Sequence, residues 1–314
     1  MCTAVWYENR FIGRTFDWMV SYGERIVVAP RNYAFRFRHL ETVESHYAIL
    51  GMGIAIDRYP LFYEGNNEVG LAMAGLNFPG NAAYHKVDVD KDNVAPFEFI
   101  PCILSTCNSV AEARIKLANI NIVDESFSNE YGVSPLHWII ADSKECITVE
   151  SVKDGLKVYE NPIGVLTNSP DFEKQMFNLT NYMSLKSTMP FNSFGGDIIL
   201  KPYSYGMGAI GLPGDWSSMS RFVRATFVRC NSIDEGTDDS KLNQFFHILD
   251  SVSQIRGCSK DNNGQDEVTI YSCCYDLKER VYYYTTYEDR RMYSICFDEI
   301  ELNGRELLLG IREE

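Results

Sequence analysis

No stretch of this sequence approaches the ~18 consecutive apolar residues that a membrane-spanning helix needs. Nothing at its start reads as a signal peptide, because Asn9 and Arg10 interrupt the apolar residues and Arg14 and Asp17 follow. Runs of Lys and Arg are missing as well. The formal net charge is −14, and a nucleic-acid binder needs a basic footprint that no segment supplies. The same charge opposes docking on anionic membranes. The expected partner is therefore a small molecule, not nucleic acid or membrane. An anionic substrate would be repelled by the molecule as a whole, so local arginines would have to compensate.

Metal and disulfide patterns are absent too. The histidines His39, His46, His85, His137 and His247 form no H-E-x-x-H and no i, i+4 pair, which argues against a histidine-based metal site. The nine cysteines (Cys2, Cys102, Cys107, Cys146, Cys230, Cys258, Cys273, Cys274 and Cys296) are odd in number and irregularly spaced. Several lie in apolar runs, such as Phe99-Ile-Pro-Cys102-Ile-Leu. They read as mostly buried free thiols of a reducing, cytoplasmic compartment. Cys273 and Cys274 are no metal pair, since neighbours on a strand point to opposite faces.

Three motifs match in letters only. Gly206-Met-Gly208-Ala-Ile-Gly211 fits G-x-G-x-x-G, but Leu212-Pro213-Gly214 follows where a helix should open, so a glycine loop is expected. Asp88-Val-Asp90-Lys-Asp92 imitates a calcium loop, with Asn93 in place of the glycine and Phe99 in place of the bidentate Glu. It reads as a solvated acidic loop. The sequon Asn178-Leu-Thr180 has no secretory context.

What is present is a chain of 314 residues, 45% of them hydrophobic, enough to bury a sizeable core. No linker, repeat or low-complexity segment divides it, so a single domain over 1–314 is expected. Strands are expected at Cys2 to Glu8, Arg10 to Asp17, Ile26 to Pro30, Tyr47 to Gly51, Glu68 to Leu76, Leu136 to Ala141, Cys146 to Ser151 and Gly155 to Tyr159. Three more follow at Glu267 to Tyr275, Arg280 to Tyr287 and Met292 to Phe297. Helices are expected at Val94 to Ala118, from Pro170-Asp171 to about Leu185, and with serine caps at Ser217 to Cys230 and Ser240 to Ile255. Strands gather at both ends with helices between them, which favours α+β with antiparallel sheets.

The candidate chemistry begins at Met1-Cys2-Thr3. If Met1 is removed, Cys2 carries a thiol nucleophile and an α-amino group of pKa ~7.7–8.0, a competent base near neutral pH. In Gly13-Arg14-Thr-Phe-Asp17 a cation and an anion follow the first turn. Asp17 could bind the amine and Arg14 could lower the thiol pKa; the alternative is a surface ion pair. Asn77 and Asn168 each end an apolar strand before a turn. Each could donate to an oxyanion or cap an Asx turn. Arg221 and Arg224 share roughly one helix face, either toward a site or toward solvent.

These residues converge on one resemblance. The chain resembles the choloylglycine hydrolases, conjugated bile acid hydrolases of the N-terminal nucleophile class. The matching segments are Met1-Cys-Thr, Gly13-Arg-Thr-Phe-Asp17, Ala29-Pro-Arg-Asn32, Leu50-Gly-Met-Gly53, Ala74-Gly-Leu-Asn-Phe-Pro79, Leu136-His-Trp138, Gly164-Val-Leu-Thr-Asn-Ser-Pro170, Gly211-Leu-Pro-Gly-Asp215, Ser220-Arg-Phe-Val-Arg224 and Tyr282-Tyr-Tyr-Thr-Thr-Tyr-Glu288. They occur in family order from residue 1 to about residue 290.

The resemblance implies a four-layer αββα sandwich with two antiparallel sheets, assembled as a homotetramer, with no cofactor and no metal. Cys2 would be the nucleophile and its freed amine the base. Arg14 and Asp17 would hold and polarise it, Asn77 and Asn168 would form the oxyanion site, and Arg221 would complete the charge framework. The substrates implied are glycine- or taurine-conjugated bile salts, cleaved through a thioester that another amine could also take up. Penicillin V acylase is the alternative, and Asn77 stands where those acylases typically carry Tyr. A silent bile-acid or lipid-binding protein is the non-enzyme alternative. By position, the pocket would be lined by Phe16, Trp18, Ile56, Tyr63, Phe127, Tyr131 and Leu136, and Gly206-Met-Gly208 would fall in a loop that influences glycine against taurine.

Overall fold

The computed structural model describes residues 1–233 and 235–310. The chain begins with β1 (Cys2–Tyr7), β2 (Phe11–Trp18), β3 (Arg25–Ala29), β4 (Ile49–Ile56), β5 (Tyr59–Asn67) and β6 (Ala72–Asn77). A short strand β7 (Asp92–Val94) leads to helices α1 (Phe99–Leu104) and α2 (Val110–Leu117), then β8 (Ile120–Ile122). Next come β9 (Leu136–Ala141), β10 (Cys146–Val152), β11 (Gly155–Glu160) and β12 (Val165–Leu166), followed by α3 (Phe172–Asn178), α4 (Ser218–Asn231) and α5 (Asp238–Asp250). The remaining strands are β13 (Val268–Asp276), β14 (Val281–Thr286), β15 (Tyr293–Cys296) and β16 (Leu308–Leu309).

Two sheets carry the fold. The first has the order β12-β1-β2-β13-β14-β15 and the second β11-β10-β9-β6-β5-β4-β3-β16, and every pairing within them is antiparallel. Between them lies a core that takes Cys2, Ala4 and Trp6 from β1 and Leu50, Ala74 and Ile139 from the second sheet. The opposite face of β1 packs Val5 and Tyr7 against Phe245, Ile248 and Leu249 of α5. The outer face of the second sheet packs Val27, Ile49 and Ile140 against Phe99, Ile103 and Val110 of α1 and α2. These are the four layers of the αββα sandwich. Because β1 is buried on both faces, its sequence runs nearly continuous in apolar residues instead of alternating.

Several expected elements shift for local reasons. The helix expected over 94–118 breaks into α1 and α2, because Asn67 donates to the carbonyls of Leu104 (2.9 Å) and Cys107 (2.7 Å) and so ends α1. Asn67 Oδ1 also accepts from Val69 N at 3.3 Å, an Asx turn, and from Leu71 N at 2.9 Å, so that β6 begins only at Ala72. Ser217 is the N-cap of α4, as expected, but its side chain makes no capping bond, and Ser240 lies inside α5. Asp215 accepts from Ser217 N (2.9 Å) and the Ser220 hydroxyl (2.6 Å) at the start of α4, and Thr237 caps α5 by accepting from Ser240 N. Helix α3 ends at Asn178 and a single 3-10 turn carries on to Tyr182. Strand β5 is an addition that the hydropathy pattern did not announce. Its pairing with β4 slips by one residue, so that Met52 faces Glu64 while Gly53 faces Phe62 and Tyr63 is the extra residue of a bulge.

Strand β2 lies tight against β13 at Gly13. A methyl group at Gly13 would lie 1.9 Å from the Cys273 carbonyl oxygen on β13, so Gly13→Ala must push these central strands apart. Its expected cost is about 3 kcal/mol, measured as the shift in chemical-denaturation midpoint against wild type.

Candidate active site

Cys2 opens β1 opposite Phe16 of β2 and is buried. Its backbone nitrogen donates to Asn168 Oδ1 at 2.9 Å. Its carbonyl accepts from Arg221 Nη1 at 2.7 Å. The Met1 amine donates to the Asp17 carbonyl and contacts the Glu267 carboxylate. Burial pulls that amine below its ordinary pKa, because a cation is poorly solvated there.

Strand β2 sends its two charges to opposite sides. Asp17 lies on the face toward the helices, where Thr269 donates to Oδ1 at 2.6 Å and Thr15 to Oδ2 at 2.9 Å. Burial pushes the Asp17 carboxyl up, while the terminal amine, Arg221 and the two hydroxyls pull it back. Arg14 points between the sheets. It donates to the Gly75 carbonyl of β6 at 2.6 Å, stands 3.6 Å from Glu64, and lies 5.1 Å over the Phe16 ring. Glu64 in turn accepts from Tyr271 at 2.7 Å and Tyr282 at 2.8 Å. Its carboxyl is pushed up by burial against the pull of Arg14 and both tyrosines. Arg14 and Asp17 are thus neither a surface pair nor partners of each other. Both are buried, and each has its own counter-group.

Arg221 gathers the site. Fully buried on α4, it donates to the Cys2 carbonyl, to the Thr3 hydroxyl and to Asn168 Oδ1, each at 2.7 Å, and to the Trp216 carbonyl at 2.9 Å. Burial pulls its guanidinium down, opposed by Asp17 and Cys2. Arg224 serves elsewhere, on the carbonyls of Ser251, Pro213 and Asp215.

Asn168 is constrained from every side. Its Oδ1 takes two donors, its Nδ2 donates to the Asn77 carbonyl at 2.7 Å, its backbone nitrogen donates to Ser218 Oγ at 2.9 Å, and Gln175 Nε2 donates to its carbonyl at 3.2 Å. An amide nitrogen carries two hydrogens, so one N–H of Nδ2 remains for a further acceptor.

Of the expected lining residues, Phe16 and Tyr63 stack at 4.8 Å and 5° beside Cys2, with Tyr271 on the other face of Phe16 at 5.1 Å. Leu136 lies opposite Asn77. Phe127 forms a second aromatic group with Tyr59, Phe97 and Tyr131, and Ile56 pairs with Tyr59 at the hairpin end. Trp18 donates to the Tyr22 hydroxyl at 2.9 Å in the loop after β2. The Tyr63 hydroxyl is pushed up by burial, and the nearby negative groups, Glu24 first among them, push it the same way.

Sequence reasoning missed Glu64, Glu267, Thr269, Ser218 and Gln175. They lie far from Cys2 along the chain and in no chemical motif. Thr3 and Thr15 sat inside quoted segments without a role. The G-x-G-x-x-G segment forms a 3-10 turn at Met207–Ala209. In the acidic loop, Asp88 Oδ1 accepts from Asp90 N and Asn93 Nδ2 donates to the Asp88 carbonyl. Among the described residues no three His, Cys, Asp or Glu side chains are grouped to hold a metal ion, and none of their helices is long and apolar enough to cross a membrane. Six of the nine cysteines, all of them free, are buried, while Cys230 and Cys258 are exposed.

The family model for linear amide C–N hydrolases, choloylglycine hydrolase family, matches residues 2–310. The chain is 47% identical over 310 residues to a bile salt hydrolase/transferase of Lactiplantibacillus plantarum, covering 98% of this chain and 96% of the relative. It is 36% identical to a conjugated bile acid hydrolase of Lactobacillus acidophilus over 98% and 99% of the two chains. A crystal structure of a variant conjugated bile acid hydrolase from Clostridium perfringens superposes with TM-score 0.91 at 35% identity, covering 100% of this chain and 97% of that one. A penicillin V acylase from Agrobacterium tumefaciens shares the fold, with TM-score 0.76 at 20% identity over 98% of this chain and 90% of the acylase. With a match from residue 2 to residue 310 and a 47% identical relative covered over 96% of its length, the chain belongs to the choloylglycine hydrolase family of linear amide C–N hydrolases.

Proposed function

We propose that this enzyme cleaves the amide joining a bile acyl group to glycine or taurine, with Cys2 as nucleophile. One observation carries the reading. The nitrogen of Cys2 rests on Asn168 and its carbonyl on Arg221, so the first residue of a processed chain is held at both ends of its backbone. With Met1 attached that nitrogen is an amide and cannot take a proton. Removal of Met1 turns the same atom, in the same contact, into an amine.

The thiolate of Cys2 attacks the amide carbonyl carbon, forming a C–S bond and an oxyanion. The second N–H of Asn168 Nδ2 and the backbone at Asn77 stabilise that charge. The oxyanion collapses, the C–N bond breaks, and the α-ammonium of Cys2 protonates the leaving glycine or taurine nitrogen. The amine then takes a proton from water, whose oxygen attacks the thioester, and the thiol leaves with the bile acid free. A second amine in place of that water gives acyl transfer. Arg14, held by Glu64, and Arg221 keep positive charge near the sulfur, while Asp17 supports the amine. Phe16, Tyr63 and Leu136 form the wall nearest the sulfur; Trp18, Ile56, Phe127 and Tyr131 make its outer rim.

Bile salts are favoured over penicillin V because the relatives at 35–47% identity bear bile-salt names and because the position expected to be Tyr in penicillin acylases is Asn77. The inter-sheet core shared by both halves of the chain supports a single domain, and nine free thiols support the cytoplasm. A homotetramer is supported by the segment around Phe191, Phe194, Ile199 and Tyr205, whose side chains are 78%, 81%, 85% and 94% exposed, an apolar surface that an isolated monomer rarely leaves open.

Mass spectrometry of the active enzyme should find Cys2 first, with turnover of glycocholate and taurocholate well above penicillin V in parallel assays. Cys2→Ser should lose at least about 10²-fold in kcat, and full activity in that variant would refute the assignment. Arg221→Met strips donors from three buried acceptors, so it should cost about 3–5 kcal/mol in thermal or urea unfolding together with activity. Arg224→Met should keep kcat within about threefold of wild type, since Arg224 touches none of these groups. Phe191→Ser combined with Phe194→Ser should lower the mass measured by light scattering from tetramer toward monomer.

A further inference from the structure

Leu136-His-Trp138 is among the segments that mark the family resemblance, yet the mechanism above gives its histidine no role. His137 is fully buried on β9, opposite Leu76 and one position along from the Leu136–Asn77 pair. Its ring stacks on Phe78 with centroids 4.2 Å apart at 9°. Nε2 lies 3.0 Å from the Thr167 carbonyl oxygen. A carbonyl oxygen only accepts, so Nε2 carries hydrogen and donates. Nδ1 lies 3.0 Å from Oε1 of Glu150, which is also fully buried. The same oxygen accepts from Phe172 N at 3.1 Å, at the start of α3.

One ring therefore touches the residue after Asn77 and the residue before Asn168. Those two asparagines come from different sheets. Asn77 ends β6 of the second sheet, while Asn168 follows β12 of the first. Sheets can slide or splay relative to each other, and donors for an oxyanion tolerate little of that. A misplacement of about 1 Å can cost about 10² in rate. A buried His and Glu are costly to desolvate where apolar side chains would pack as well, so their presence points to a positional task.

We propose that His137, oriented by Glu150, is a positioning residue that pins the Asn77 and Asn168 segments across the seam between the sheets. The proposal rests on the reading of those asparagines as the oxyanion pair. Gln places its amide nitrogen near the position of Nε2 and Asn places its own near Nδ1. His137→Gln keeps a donor for the Thr167 carbonyl, whereas His137→Asn keeps one only for Glu150.

The test is steady-state kinetics on glycocholate, normalised to Cys2 thiol counted by mass spectrometry of its iodoacetamide-labelled N-terminal peptide, with thermal unfolding run on the same samples. His137→Asn should lose about 10–100-fold in kcat with KM nearly unchanged, and His137→Gln should recover most of that loss. Glu150→Gln, which preserves volume, should lose several-fold in kcat. The double variant His137→Asn with Asn168→Ala should lose no more than Asn168→Ala alone, because the effect passes through Asn168. Equal kcat per titrated thiol in all the single variants, with only their unfolding temperatures lowered, would overturn the proposal, as would additive losses in the double variant. If wild type cleaves penicillin V but no conjugated bile salt, the substrate reading falls, and the same variants assayed on penicillin V still decide the role of His137. A Met1-free wild type that cleaves neither amide overturns both.

Discussion

Everything near Cys2 depends on one buried guanidinium. Arg221 reaches from α4 through the helix-side face of the first sheet and binds the first two residues of β1 and the side chain of Asn168 together. A fully buried cation is unfavourable unless its hydrogens are used and negative charge is near. Here four of the five N–H hydrogens meet protein oxygens, and Asp17 supplies charge from the adjacent strand. A chain terminus is ordinarily the least ordered region of a fold. This one is fixed because it forms an inner strand with a neighbour on each side and a helix-borne cation on its carbonyl.

Strand β2 is the divider of the site. Its even-numbered face gives Arg14 and Phe16 to the space between the sheets, and its odd-numbered face gives Thr15 and Asp17 to the side under the helices. The body of the strand thereby separates Arg14 from Asp17, although they lie three residues apart in the chain. The period of two along a strand is enough to keep them from neutralising each other.

Much of this could be read from the amino acids. The β1–β2 hairpin was legible from its apolar residues and from Asn9, and Cys2, Arg14, Asp17, Asn168 and Arg221 all come to one place. What could not be read was the support behind them. Thr269 reaches Asp17 from 252 positions away, and hydroxyls of this kind are too common to stand out. Glu64 lies in Tyr59-Pro-Leu-Phe-Tyr-Glu-Gly-Asn-Asn67, whose proline, glycine and polar residues suggest a loop. That composition misleads because Glu64 faces two tyrosines and an arginine of the other sheet and Asn67 faces the carbonyls of Leu104 and Cys107, not water. The division between α1 and α2 was hidden as well, since the group that ends α1 is Asn67, on a different strand.

The bulge at Tyr63 has a consequence for how this enzyme can diverge. With one extra residue in β5, Tyr63 and Glu64 both face the first sheet, the former stacking on Phe16 and the latter answering Arg14. Wall and counter-ion are thus adjacent links of the same chain. Loss of a single residue there would restore regular alternation and turn one of the two toward the outer helices. Lineages can therefore widen or narrow the wall at this point by exchanging the side chain at Tyr63, but not by changing the length of the strand, and drift in ligand preference along β5 should be recorded in substitutions with the residue count preserved.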